Sequence, residues 1–268
     1  PKMLEAISEE KNIVKKWVKK YKIDGIISDN RLGVYSKKVP SVFITHQLNV
    51  LTGNTTWLTS KIHQKIIKKF TACWIPDVNS ELNLTGKLGH LENNPLTVNY
   101  LGPLSRMHKM ALPIQYDLMI ILSGPEPQRG LLESHLTEEV KRFDGKVVFI
   151  KGLIEAEQKK EQIGHVTYYN FMKTRQLEYT FNESEKVLCR SGYTTIMDLV
   201  KLNKKAFFIP TPGQYEQVYL AEKLQKEGLV PFTCQERFKI EDIAKIDQYK
   251  GLPKLESTVD WEELFKVF

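Results

Sequence analysis

Ser191-Gly192, Asp198 and Gln217 are the residues of this chain whose types and spacing could do chemistry together. A short apolar run, Val187-Leu188-Cys189, meets Arg190-Ser191-Gly192, and a stretch with Ile196, Leu199, Val200 and Leu202 apolar follows. Run, turn and helical period read as strand, loop and helix. A helix start presents unpaired N–H groups and the positive end of the helix dipole, which suits a phosphate. Ser191 can add its hydroxyl to such a site or simply cap the helix, because both uses share one geometry. Arg190 is open to an anion or to a structural ion pair. Asp198 lies seven positions after Ser191. An ionised carboxylate there only accepts hydrogen bonds, so it can take ligand hydroxyls or stand as an exposed helix residue.

These residues need a scaffold, and the flanking sequence supplies one. A second apolar run, Ala206 to Ile209, ends in Pro210-Thr211-Pro212-Gly213, and a helical pattern begins near Gln217 and stops at Gly228. Strand, helix, strand, helix makes two steps of a parallel sheet. In open α/β sheets, ligands lie outside the carboxyl ends of the strands. Upstream, Tyr116 to Leu122 reads as a strand running into Ser123-Gly124 and Arg129, with a helix after it. Glycine there permits close backbone approach, and Arg129 is either an anion contact or a surface arginine. Strands are also expected at Val147 to Ile150 and Val166 to Tyr169, the latter ending near Phe171 and Met172.

Cys189-Arg190-Ser191-Gly192, Asp198, then Pro210, Gln217 and Tyr219 resemble the nucleotide-binding half of GT-B glycosyltransferases, especially the MurG-type enzymes of peptidoglycan synthesis. That family usually carries Glu where Asp198 stands. The resemblance implies two Rossmann-like α/β domains and a nucleotide-sugar donor, a UDP-sugar, used as co-substrate without metal or other cofactor. It implies that Arg190, Ser191, Gly192, Tyr193 and Thr194 surround the diphosphate, with Ser123, Gly124 and Arg129 opposite. Asp198 would take the ribose, Gln214 and Gln217 the sugar, and Phe171 and Met172 the base, whose edge backbone groups usually read. Core packing is the competing account of Phe171 and Met172.

In the first part of the chain, Thr45-His46-Gln47-Leu48-Asn49 resembles the family's acceptor-side His-Glu-Gln-Asn segment, without its carboxylate. His46 is a candidate general base, and Asp29, after the preceding strand, competes with it. Residues 1–104 are expected to form a partial acceptor-side domain, 113–255 the nucleotide-sugar domain, and 256–268 a helix packing back on the first. A linker is expected over 103–113. The opening reads as a Lys-rich helix, Pro1 to Lys20, before a strand at Asp24 to Ser28; no Gly-rich loop precedes Ile26. Against the resemblance, the first strands of the acceptor-side domain are absent from this sequence.

The remaining composition bounds the partners. Hydrophobic residues make up 41% of 268, ordinary for chains with real cores. A net charge of +7, with pI near 9.1, suits an acidic ligand or an anionic membrane surface. Lysines at 15, 16, 19 and 20 and at 61, 65, 68 and 69 could face lipid or solvent. No helix-turn-helix or RNA-binding signature accompanies the charge, so nucleic acid ranks last. Three cysteines without a CxxC fit a reducing compartment. The expected place is the cytoplasm at the inner membrane face, with a sugar or lipid-linked acceptor. Rival functions are a nucleotide-sugar hydrolase or epimerase, and a non-catalytic scaffold.

Overall fold

The computed structural model describes residues 2–92 and 94–268; Pro1 and Asn93 lie outside the described residues. The chain divides into two compact units, Pro1–Leu104 with Glu256–Phe268, and Ser105–Leu255.

The first unit is a four-stranded parallel sheet in the order β1-β2-β3-β4: β1 (Ile26–Asp29), β2 (Ser41–Ile44), β3 (Ala72–Ile75) and β4 (Val98–Tyr100). Helix α1 (Lys2–Tyr21) turns Val14 and Val18 onto Ile26, at the helical spacing its apolar residues set. Helix α2 (Thr56–Ile67) buries Ile67 in a cluster with Phe43, Phe70, Cys73 and Ile75 on one sheet face. The opposite face carries Val42, Ala72, Trp74 and Leu101. It is covered by the short helix α7 (Trp261–Phe265), whose Leu264 is buried against them and whose Phe265 ring lies 5.4 Å from Trp74. The tail reaches it past Gly102, whose φ is +74° and where a Cβ would lie 2.8 Å from Ser257 Cα. Only glycine meets both demands.

The second unit is a six-stranded sheet in the order β10-β9-β5-β6-β8-β7. Its strands are β5 (Tyr116–Ile121), β6 (Val147–Ile150), β7 (Lys160–Ile163), β8 (Val166–Tyr169), β9 (Ser184–Cys189) and β10 (Lys205–Phe208). All pair in parallel except β7, which runs antiparallel to β8. Helices α3 (Gln128–Glu139), α4 (Thr174–Asn182), α5 (Tyr193–Leu202) and α6 (Tyr215–Lys226) connect them. The core joins Leu118, Ile120, Phe149, Leu188 and Phe207, each worth about 1.5–3 kcal/mol when fully buried. A 3-10 helix, Ile240–Gln248, adds Ile240, Ile243 and Ile246, whose three-residue spacing matches its turn.

Two features depart from the sequence expectation. Strand β7 is exposed along its whole length, so no apolar alternation announces it. Residues 105–113 are no linker but part of the second unit. Met107 is buried, Ser105 and His108 bond Asp198 and Glu178, and Met110 N–H donates to Asn182 Oδ1 at 2.8 Å. These partners lie 70 or more residues away, beyond any local pattern.

Candidate functional site

The order of the second sheet locates its ligand edge. From β5 the chain moves to β6 and β8 on one side, then returns to β9 and β10 on the other. The direction therefore reverses between β5 and β9, and the crevice outside such a reversal is where open sheets bind ligands. The loops that leave this edge carry Ser123-Gly124 after β5, Arg190-Ser191-Gly192 after β9 and Pro210–Gly213 after β10.

The helix start after β9 is open. Gly192 is the N-cap of α5 and contributes no side-chain cap bond. Its φ of −71° suits any residue, and a Cβ there would meet no atom within 4 Å. The first turn of any helix has N–H groups without intrahelical partners, and here Thr194 in that turn is exposed. Tyr193 is buried in the core side of the turn. Across the edge, Gly124 has φ +99°, and the nearest atom to its Cβ position is Thr211 Oγ1 at 3.8 Å. That hydroxyl is buried without a partner among the described residues. Ser123 beside it is exposed.

Three side chains expected at the ligand are engaged within the protein. Ser191 neither caps α5 nor offers its hydroxyl outward: it is fully buried, and Oγ donates to the Gln217 carbonyl at 2.7 Å. Arg190 is 1% exposed, and its guanidinium donates to the carbonyls of Ile209, Pro210 and Gln128 and to Gln235 Oε1. Burial pulls its pKa down to about 10. It pins three loops together and forms no ion pair among the described residues. Arg129 is neutralised by Glu126 and Glu133, both at 2.5 Å, and also donates to the Lys151 carbonyl. Its guanidinium is thus held inside the turn.

Asp198, on the second turn of α5, is half-buried. Its Oδ1 accepts from Ser105 Oγ at 2.6 Å, and Oδ2 has no protein partner among the described residues. Burial raises its pKa, partly offset by the Ser105 bond and the Arg106 charge. Gln217 accepts from Thr211 N–H at 2.8 Å and donates to Gln214 Oε1 at 2.8 Å, so the β10 loop and the start of α6 form one amide-linked surface. Phe171 and Met172 are both half-exposed after β8, but the Phe171 backbone is engaged: N–H donates to Asn170 Oδ1 and the carbonyl accepts from Gln158 Nε2.

The first unit has its own carboxyl edge. Asp29 ends β1 and is exposed, and His46 follows β2, half-buried. The register pairs Asp29 with Ile44, which places the two loops side by side. The structure adds Asp77 after β3. Its carboxylate is fully buried and accepts from Val78, Leu84 and Thr85 N–H and from Thr85 Oγ1 at 2.5 Å. His90 Nε2 lies 3.4 Å from its Oδ2 and stacks on Tyr100. Burial pushes the Asp77 pKa up, but these bonds outweigh it and hold the group below the usual aspartate value. The loop so organised packs on the His46 segment through the Leu48 and Asn49 N–H bonds to Leu88 O. No sequence motif marks Asp77 or His90; an isolated Asp followed by a Thr eight residues later is too common to read.

Comparison with known proteins bears on the same region. Residues 128–248 match the glycosyltransferase family 28 C-terminal domain. Over 257 residues the chain is 24% identical to UDP-N-acetylglucosamine–N-acetylmuramyl-(pentapeptide) pyrophosphoryl-undecaprenol N-acetylglucosamine transferase of Buchnera aphidicola, covering 91% of this chain and 67% of that protein. The structure of Acinetobacter baumannii MurG aligns with a TM-score of 0.54 at 14% identity, covering 90% of this chain and 68% of that one. A putative UDP-N-acetylglucosamine 2-epimerase from Listeria monocytogenes aligns with a TM-score of 0.58 at 10% identity, over 94% and 75% of the two chains. The structural likenesses establish a shared fold.

Proposed function

Starting from a chain that is a GT-B glycosyltransferase of MurG-like type, with a family 28 C-terminal domain in its second unit, we propose that this unit binds a UDP-sugar and the first unit takes the acceptor. The observation that carries the donor reading is the uncapped start of α5 at the reversal between β5 and β9. The diphosphate sits on the first-turn N–H groups, where anions are favoured. The ribose hydroxyls donate to Asp198 Oδ2, and Gln214 and Gln217 meet the sugar. In the reaction an acceptor oxygen attacks the anomeric carbon, and the bond to the diphosphate breaks with inversion. The acceptor proton passes to a base, with His46 and Asp29 the candidates. Fixed N–H dipoles stabilise the departing charge without reorganising. The proposal needs no metal or cofactor beyond the donor.

The name of the Buchnera relative carries a pyrophosphoryl-undecaprenol acceptor, which supports a lipid-linked acceptor here; the proposed place of work is then the cytoplasmic face of a membrane. No helix among the described residues is long and apolar enough to cross a membrane.

Gly192→Ala tests the donor site. The methyl meets no protein atom, so the fold is expected to lose less than about 1 kcal/mol. It projects where the diphosphate would lie, so UDP affinity is expected to fall by about 1–3 kcal/mol, a typical overpacking cost. Calorimetry showing unchanged UDP affinity in this variant would remove the phosphate from α5.

A further inference from the structure

We propose that Ser105 is a positioning residue of the donor site: its hydroxyl turns the Asp198 carboxylate so that one oxygen is held by the protein and the other is offered to the ribose. The role rests on the donor-site reading above and adds a residue from outside the sequence motifs. Ser105 is the first residue of the second unit, 93 positions before its partner.

Chemistry fixes the direction of the bond. A hydroxyl carries one proton and accepts with its lone pairs. Met107 N–H donates to Ser105 Oγ at 3.0 Å and takes up acceptor capacity there. An ionised carboxylate has no proton to give, so the Ser105 proton goes to Asp198 Oδ1 at 2.6 Å. Bonds from a hydroxyl to a charged oxygen are short and strong, and this one has their length. Oδ1 is thereby taken, and Oδ2 remains without a partner among the described residues. The same bond opposes the burial that disfavours the charged form of Asp198.

Ser105 acts from a firm base, which residues 105–110 provide. Met107 is buried. His108 N–H donates to Glu178 Oε1 at 2.6 Å, and Met110 N–H to Asn182 Oδ1 at 2.8 Å. Asn182, nearly fully buried, returns a bond from Nδ2 to the His108 carbonyl at 3.0 Å. Glu178 and Asn182 belong to α4 and Asp198 to α5, so the segment straps the two helices together. An unheld Asp side chain would have to be ordered when the ligand arrives; a held one has met that cost beforehand.

The 2′-deoxy and 3′-deoxy forms of UDP each lack one ribose hydroxyl and keep the base and the diphosphate, so they form the test. By calorimetry on the whole chain, the wild type is expected to bind UDP at least about tenfold more tightly than one of them. In Ser105→Ala that ratio should fall by about threefold or more, and Ser105→Thr, which keeps the hydroxyl, should restore it. Should Ser105→Ala fail to fold, Ser105→Cys keeps the size with only a weak donor and should lower the ratio likewise. A serine that merely braced the fold would change the affinity for all three nucleotides alike, as Gly192→Ala should at the phosphates. A ratio unmoved in the Ser105 variants but lowered in Asp198→Asn overturns the role of Ser105 and leaves Asp198 at the ribose. Equal binding of UDP and both deoxy forms by the wild type overturns the ribose contact, and failure to bind any of them overturns the donor site itself.

Discussion

Asp198 divides its two oxygens between the protein and a ligand, and that division can be measured. Asp198→Asn keeps an oxygen for the Ser105 hydroxyl but loses the charge. UDP affinity is expected to drop by about 1–3 kcal/mol, the range for hydrogen bonds to charged groups. Stability should move the other way. The folded pKa is raised above its ordinary 3.8, chiefly by burial. The protonated side chain is therefore the form that suits the fold: below 3.8 it carries no burial penalty, and the penalty appears as pH rises through the folded value and the group ionises. At pH 7 the Asn variant should melt at or above the wild-type temperature, and the gap should close below pH 3.8; a variant that melts lower at pH 7 contradicts the buried-charge account. At this scale the sequence was readable as a place more than as a set of roles. The cluster from Arg190 to Asp198 does lie at one strand end. Yet Arg190 and Ser191 bond backbone carbonyls 19 to 62 residues away, and backbone atoms leave no trace in residue types. The same holds for Arg129, whose partner Glu133 was in plain view one helical turn on, but whose burial was not.

Helix α2 shows how an element can face two ways. Ser60, His63, Ile66 and Ile67 turn to the core, while Trp57, Leu58 and Ile62 stay exposed on the opposite side, with Lys61 at 4.0 Å over the Trp57 ring. Exposed apolar residues set among lysines suit an anionic lipid surface better than water. The protein is expected to co-sediment with vesicles containing anionic lipid and not with zwitterionic ones. Charge reversal at Lys61, Lys65 and Lys68 should weaken that binding by at least about 1 kcal/mol per lysine, and Trp57→Ser should weaken it further. Equal sedimentation of the reversed protein would leave α2 a solvated face. The elements themselves were largely legible, because continuous apolar runs between turn residues mark buried parallel strands. Strand β7 was not, since Lys160, Glu161 and Gln162 have nothing to alternate with at a solvated sheet edge.

On the scale of the whole molecule, the division into two α/β units follows from two successions of strand and helix, and both sheets show it in their parallel order. The place of residues 105–113 was hidden because Met107 and Ser105 are held by the second unit's distant side chains rather than by a period of their own. Helix α7 contributes to the first unit from the far end of the sequence, and Leu264→Ala should cost about 2–5 kcal/mol of that unit's stability. Urea unfolding followed by the fluorescence of the four tryptophans, all in the first unit, would register it, and an unchanged midpoint would mean the tail is only loosely laid on the sheet. This arrangement also sets an order of events on the ribosome. The second unit, residues 105–255, needs nothing beyond residue 255 to close on itself. The first unit emerges earlier but keeps Val42, Trp74 and Leu101 uncovered until residue 264 is out. The half that is made first is therefore finished last, and for that interval it is the half a chaperone or a protease would meet.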